Sequence, residues 1–149
     1  MLRLPLVAAL IVVAACSHPT PAVPAPEAPP AALLGEFGDD YGDEFTVTPT
    51  LWTHHPQSSY HIIRWNPANQ YLIAQNDLTN PSAKGRYTRI DWVSLPGMTP
   101  YTWGFCYSAY DAPTADSAEA THAVNREAPK TGCNGHPFSR MKRLDHPAH

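Results

Sequence analysis

The sequence predicts a mainly β domain, a small antiparallel sheet or open barrel with one C-terminal helix and one disulfide. Three observations predict it. Short runs of aromatic and β-branched residues alternate with Pro, Gly and Asn punctuation between residues 45 and 110. One later stretch carries helix-start chemistry. Of the three cysteines in 149 residues, the first sits where a membrane anchor would claim it, which leaves two to pair.

The N-terminal part is set apart by composition. Residues 1–15 hold one basic residue, Arg3, an apolar run from Leu4 to Ala14, and small residues before Cys16. That is a secretory signal, since a bilayer span needs about 20 apolar residues. Val13-Ala14-Ala15-Cys16 resembles the lipobox of bacterial lipoproteins, where small residues admit a signal peptidase and the cysteine thiol takes a diacylglyceryl group. The resemblance implies that Cys16 is the lipidated N-terminus. Two or three acyl chains, at about 0.8 kcal/mol per buried methylene, make release from the membrane negligible. Ser17, where Asp would signal retention, resembles an outer-membrane address. An ordinary signal that happens to end in Cys is the alternative.

Residues 16–34 are then the lipidated cysteine and a Pro/Ala-rich linker. Pro19, Pro21, Pro24, Pro26, Pro29 and Pro30 favour extended polyproline geometry, and at about 3.1 Å per residue the linker is a spacer of roughly 50 Å. A ligand for a proline-recognition module is the other reading. Residues 35–140 form the β-rich domain and 141–149 a tail.

Within the domain, residues 35–44 carry five carboxylates in ten residues but lack the D-x-D-x-D-G spacing of a calcium loop, so they read as a polar turn into the first strand. Residues 45–53 are β-prone and broken by Pro49, which suits a sheet edge or a bend. His54, His55 and His61 read as loop or surface histidines; metal binding across a hairpin is the sharper alternative. Residues 59–65 and 70–75 flank an Asn66-Pro67 turn, which signals a hairpin. In the next loop, Asn76, Asp77 and Asn80 have the short polar side chains that cap turns.

Residues 86–110 read as a central hairpin around Pro96-Gly97-Met98-Thr99-Pro100. With Leu95 opposite Tyr101, Ile90 opposes Cys106 and Arg89 opposes Tyr107, because antiparallel partners keep a constant index sum. Arg89, Asp91 and Tyr107 then share one face. The ion pair is either an ordinary pair at a sheet surface or part of a small-ligand site lined by aromatics. Residues 113–123 are the helix, capped by Asp111 or Thr114 with Pro113 in its first turn.

With Cys16 consumed, Cys106 and Cys133 stand in a compartment that permits disulfides, and one bridge is expected. Zinc held by Cys106, Cys133 and His136 is the alternative, but no fourth ligand is evident. No cofactor is implied. Removing Arg3 with the leader leaves nine basic against thirteen acidic residues, a net charge of −4. Arg140, Lys142 and Arg143 make a short terminal cluster without interleaved aromatics, so nucleic acid is not an expected partner.

The stretches YLIAQND (71–77), RYTRIDW (86–92), FCYSAYDAPTA (105–115) and GCNGHPF (132–138) together resemble a group of small, mostly uncharacterised bacterial lipoproteins. Residues 41–140 carry the resemblance, which implies a cell-envelope location and a disulfide but no activity. His136, where an aromatic is more usual, departs from the pattern.

An enzyme is not expected. The chain has no G-x-S-x-G elbow, no H-E-x-x-H and no phosphate-cradling glycine loop. The expected function is a membrane-anchored envelope lipoprotein that binds a small ligand or an envelope component, with Arg89, Asp91 and Tyr107 as candidate lining. The alternative is a structural or interaction lipoprotein without a small-molecule ligand. A cavity lined by residues 87, 89, 91 and 107 would mark the first, and a filled core with a flat apolar patch outside would mark the second.

Overall fold

The computed structural model describes residues 27–122 and 124–145. The signal, the lipobox with Cys16 and residues 17–26 of the linker lie outside those residues. Eight strands follow one another around a closed barrel: β1 (Gly35–Asp39), β2 (Glu44–Val47), β3 (Leu51–His54), β4 (Ser58–Asn66), β5 (Tyr71–Asn76), β6 (Tyr87–Ser94), β7 (Trp103–Ala112) and β8 (Ser139–Arg143). All neighbours are antiparallel, and β8 returns to pair with β1 at Phe37↔Arg143 and Asp39↔Met141. The fold is mainly β with one short helix and one disulfide, as the sequence predicts, and its barrel is closed rather than open.

Short side-chain caps make the turns. Asp39 Oδ1 accepts the backbone N–H groups of Tyr41 and Asp43, both at 2.9 Å, so the acidic run turns the chain from β1 to β2. Thr48 Oγ1 accepts the Leu51 N–H at 3.0 Å where Pro49 divides β2 from β3. Asn66 Oδ1 accepts the Asn69 N–H at 3.0 Å between β4 and β5. Asp77 caps Thr79, while the fully buried Asn80 donates to and accepts from the Ser59 backbone, both at 2.8 Å.

An eight-stranded barrel is just wide enough for side chains to fill. Here aromatic rings fill it: Phe37, Phe45, Trp52, Tyr60, Trp65, Trp92, Trp103 and Phe105 all point inward and are buried, with Leu72, Ile90 and Met141. Phe37 meets Trp103 edge-on at 5.1 Å, and Trp52 meets Phe105 at the same distance. Each such pair adds about 0.5–1.5 kcal/mol beyond its burial.

Outside the wall, helix α1 (Ala115–Glu119) packs on β5, β6 and β7 through Ala118, which meets Tyr71 and Ile73. Thr114 and Ser117 form a reciprocal capping box at its start. The helix is shorter than the expected 113–123 because Arg89 Nη1 takes the Glu119 and Thr121 carbonyls at 2.7 and 3.2 Å, which ends the turn.

Three boundaries also move. Ala31–Leu33, read as linker, is a 3-10 turn whose Leu33 is buried in the barrel core. Residues 141–143, read as tail, belong to β8, where Met141 is fully buried. Gly35 to Asp39, read as turn, is β1 itself.

Candidate functional site

The hairpin β6–β7 is present, but its register differs by one residue from the expected one. Leu95 N–H donates to Thr102 O at 3.0 Å, Ser94 faces Trp103, and Ile90 faces Tyr107. A one-residue slip moves a strand's side chains to the other face. Arg89 and Asp91 therefore lie on the outer wall, while Tyr107 points into the barrel.

The outer pair is closed. Asp91 is fully buried and Arg89 nearly so. Arg89 grips Asp91 through Nε at 2.8 Å and Nη2 at 3.0 Å. Arg126 Nη2 adds a bond to Asp91 Oδ1 at 2.6 Å, and the Ser108 hydroxyl donates to Asp91 Oδ2. The two guanidiniums then reach outward. Arg89 holds the end of α1, and Arg126 holds the Trp92, Asn69 and Gln70 carbonyls at 2.8 to 2.9 Å. Arg89 also stacks 4.1 Å over the Tyr71 ring. Tyr71 donates to Glu119 at 2.5 Å, and that bond, with Arg64 beside it, holds the Glu119 carboxyl below its usual range. Every acceptor of Asp91 is engaged by the protein, so this cluster is a clamp for the helix and the following loop.

Tyr107 belongs to a different set. Its hydroxyl accepts from Trp52 Nε1 at 3.2 Å, and its ring meets Phe105 at 5.1 Å and Tyr60 at 5.5 Å. Burial raises the phenol pKa of both Tyr107 and Tyr60.

Cys106 and Cys133 are bonded, their Cα atoms 5.6 Å apart. The bridge pins the segment that leads into β8 against the outer wall, over Val93, Leu95 and Phe138. Two glycines shape this segment. Gly104 has no side chain, and a Cβ there would meet Ser139 O at 3.1 Å and Phe138 Cβ at 3.2 Å. At Gly132 a Cβ would stand 1.8 Å from Asn125 O. Between the cysteine and Phe138, Cys133 and His136 exchange backbone bonds of 2.9 and 2.8 Å around Asn134 and Gly135, both with positive φ. This is the Asn-Gly two-residue hairpin.

The pinned segment and the β6–β7 loop bound a groove of about 630 Å³ on the outer wall. It is lined by Leu95 and Met98 from the β6–β7 hairpin, by Pro129, Lys130, Pro137 and Phe138 from the pinned segment, and by Asp40, Tyr41 and Arg140 from the β1–β2 turn and β8. None of these residues was singled out as a site in the sequence. The legible signal was the bridge, which must carry residues 129–138 back to the hairpin.

The histidines pair off separately. His54 Nε2 lies 3.2 Å from Asp43, His61 Nε2 lies 2.7 Å from Asp77, and His55 meets Thr46 at 2.8 Å. Among the described residues no three His, Cys, Asp or Glu side chains are placed to hold one metal ion. No family model, curated protein or solved structure matches the chain.

Proposed function

We propose that the protein is a membrane-anchored envelope lipoprotein whose barrel is a rigid binding module working through its outer wall. The leader and the Val-Ala-Ala-Cys run support the anchor. The barrel interior is packed with rings, as an interaction lipoprotein would have it, but the apolar surface outside is a groove of about 630 Å³ rather than a flat patch, and that concavity carries the binding role. Pockets of about 300–1,000 Å³ with a few polar groups are the size and kind that take small ligands. The groove is also held in shape before any ligand arrives, by the bridge and by Phe138 against Gly104. Preorganisation of this kind lowers the entropy cost of binding.

Native mass spectrometry of the full-length protein taken from its membrane tests the reading. A bound adduct in the wild type that is lost in Met98→Glu is expected. A bare protein mass in both would overturn the binding role.

A further inference from the structure

The geometry points to a ligand class for this groove: a single-chain anionic amphiphile of the fatty-acid type, its tail along Leu95, Met98 and Phe138 and its carboxylate against Lys130. The inference rests on the binding-module reading and adds the chemistry of the ligand.

The lining asks for a tail. Four large apolar side chains are exposed among the described residues, Tyr41, Ile63, Leu78 and Met98, and two of them, Tyr41 and Met98, border this one groove. The buried Leu95 and Phe138 line the same groove, so apolar side chains make up much of its lining. A continuous apolar surface rimmed by charge marks an interaction site, whereas single exposed apolar residues do not.

The charges ask for one negative head. Asp40 and Arg140 neutralise one another: Arg140 Nε donates to Asp40 at 2.7 Å, its backbone N–H donates to the same carboxylate at 2.9 Å, and its guanidinium lies 4.8 Å over Tyr101. Lys130 is exposed and makes no ion pair or hydrogen bond among the described residues. The groove therefore carries one uncompensated positive charge beside an apolar surface. A neutral amphiphile leaves that charge unanswered, and a cationic one is repelled. A free single-chain acid supplies one tail and one negative head, which match the one groove and its one uncompensated cation.

Full-length protein in phosphatidylcholine nanodiscs supplies the test. Three probes with the same diazirine-bearing tail are compared, dodecanoate, dodecanol and a phosphatidylglycerol, and labelled peptides are located by mass spectrometry. The acid is expected to label residues 95–98 and 129–138 about fivefold more than the alcohol, the size of one partly exposed ion pair. Lys130→Glu should bring acid labelling down to the alcohol's level or below. Lys130 is exposed, so the variant should keep the wild-type melting temperature. Met98→Glu should remove both labels.

Equal labelling by acid and alcohol would overturn the assignment, as would label outside these two stretches. Label from the phosphatidylglycerol alone would also overturn it by moving the source to the bilayer. A co-purifying adduct of another chemistry, lost in Met98→Glu, would leave the binding module standing and remove the fatty-acid class. Absence of both adduct and label would remove the binding module as well.

Discussion

Arg89 and Asp91, two positions apart on β6, meet through two hydrogen bonds of 2.8 and 3.0 Å on the outside of a barrel, yet both are buried. Helix α1 and the segment after it make that possible by roofing this part of the wall. Removing one partner would leave a charge buried without full compensation. Arg89→Met should cost about 3–5 kcal/mol in denaturant unfolding. Arg126→Met should cost less, because Arg126 is partly exposed and Arg89 still holds the carboxylate. Equal losses for the two variants would contradict this order.

The disulfide spans 27 residues, so its loss should cost about 3–4 kcal/mol on loop-entropy grounds. Cys106→Ala with Cys133→Ala should lower the melting temperature by on the order of 10 °C. Thermal unfolding followed by near-ultraviolet circular dichroism reads this directly. An unchanged midpoint would mean that the bridge adds nothing to the barrel.

Gly132→Ala places a methyl carbon on the Asn125 carbonyl, a backbone group that cannot swing away. The segment over Cys106 must shift, and a loss of about 2–4 kcal/mol is expected, in the range of severe overpacking. Gly97, where an added Cβ would meet nothing within 4 Å, is the control. Gly97→Ala carries only the strain of its positive φ, about 1 kcal/mol.

Alkali should open the barrel. Burial raises the phenol pKa of Tyr60 and Tyr107 above the unfolded value of 10.0. The stability they confer is fully present below pH 10.0 and is lost as pH rises from there toward their folded pKa values. Their ionisation, read by absorbance, should therefore coincide with unfolding rather than precede it. Tyr107→Phe should weaken that alkaline sensitivity, and it should also cost about 1–3 kcal/mol at neutral pH by leaving Trp52 Nε1 without an acceptor.

Acid acts through Glu119. Its carboxyl is held below the ordinary value of 4.5, first by Tyr71 and then by Arg64. The stability it contributes is present above pH 4.5 and is lost as pH falls through the lowered folded value. Glu119→Gln should flatten the stability profile below that pH, and an unchanged acid limb would refute the role.

Much of the strand pattern was legible because Pro, Asn and Asp are local signals: Pro49, Asn66-Pro67 and Asn80 mark real turns. The cysteine pairing was legible by elimination. The register of β6 and β7 was not, since it depends on whether Leu95 faces Tyr101 or Thr102, a choice that loop composition leaves open. That single step put Tyr107 with Arg89 and Asp91 in one imagined pocket. Strand β8 was also hidden, because Ser-Arg-Met-Lys-Arg shows one apolar residue and only closure of the barrel buries it. The Asn134-Gly135 turn, by contrast, is a plain hairpin signal that sequence reading passed over.

Closure by β1 and β8 joins residues about a hundred positions apart, such as Phe37 and Arg143. During synthesis β1 emerges before the other described strands, and its second neighbour arrives after all of them. Until then the edges of β1 and β7 stand open, each a template for pairing with another chain. Such distant pairings also form slowly. Among the described residues the finished barrel offers no strand edge, but its assembly passes through a form that offers two, and crowding where it folds bears most heavily on that interval.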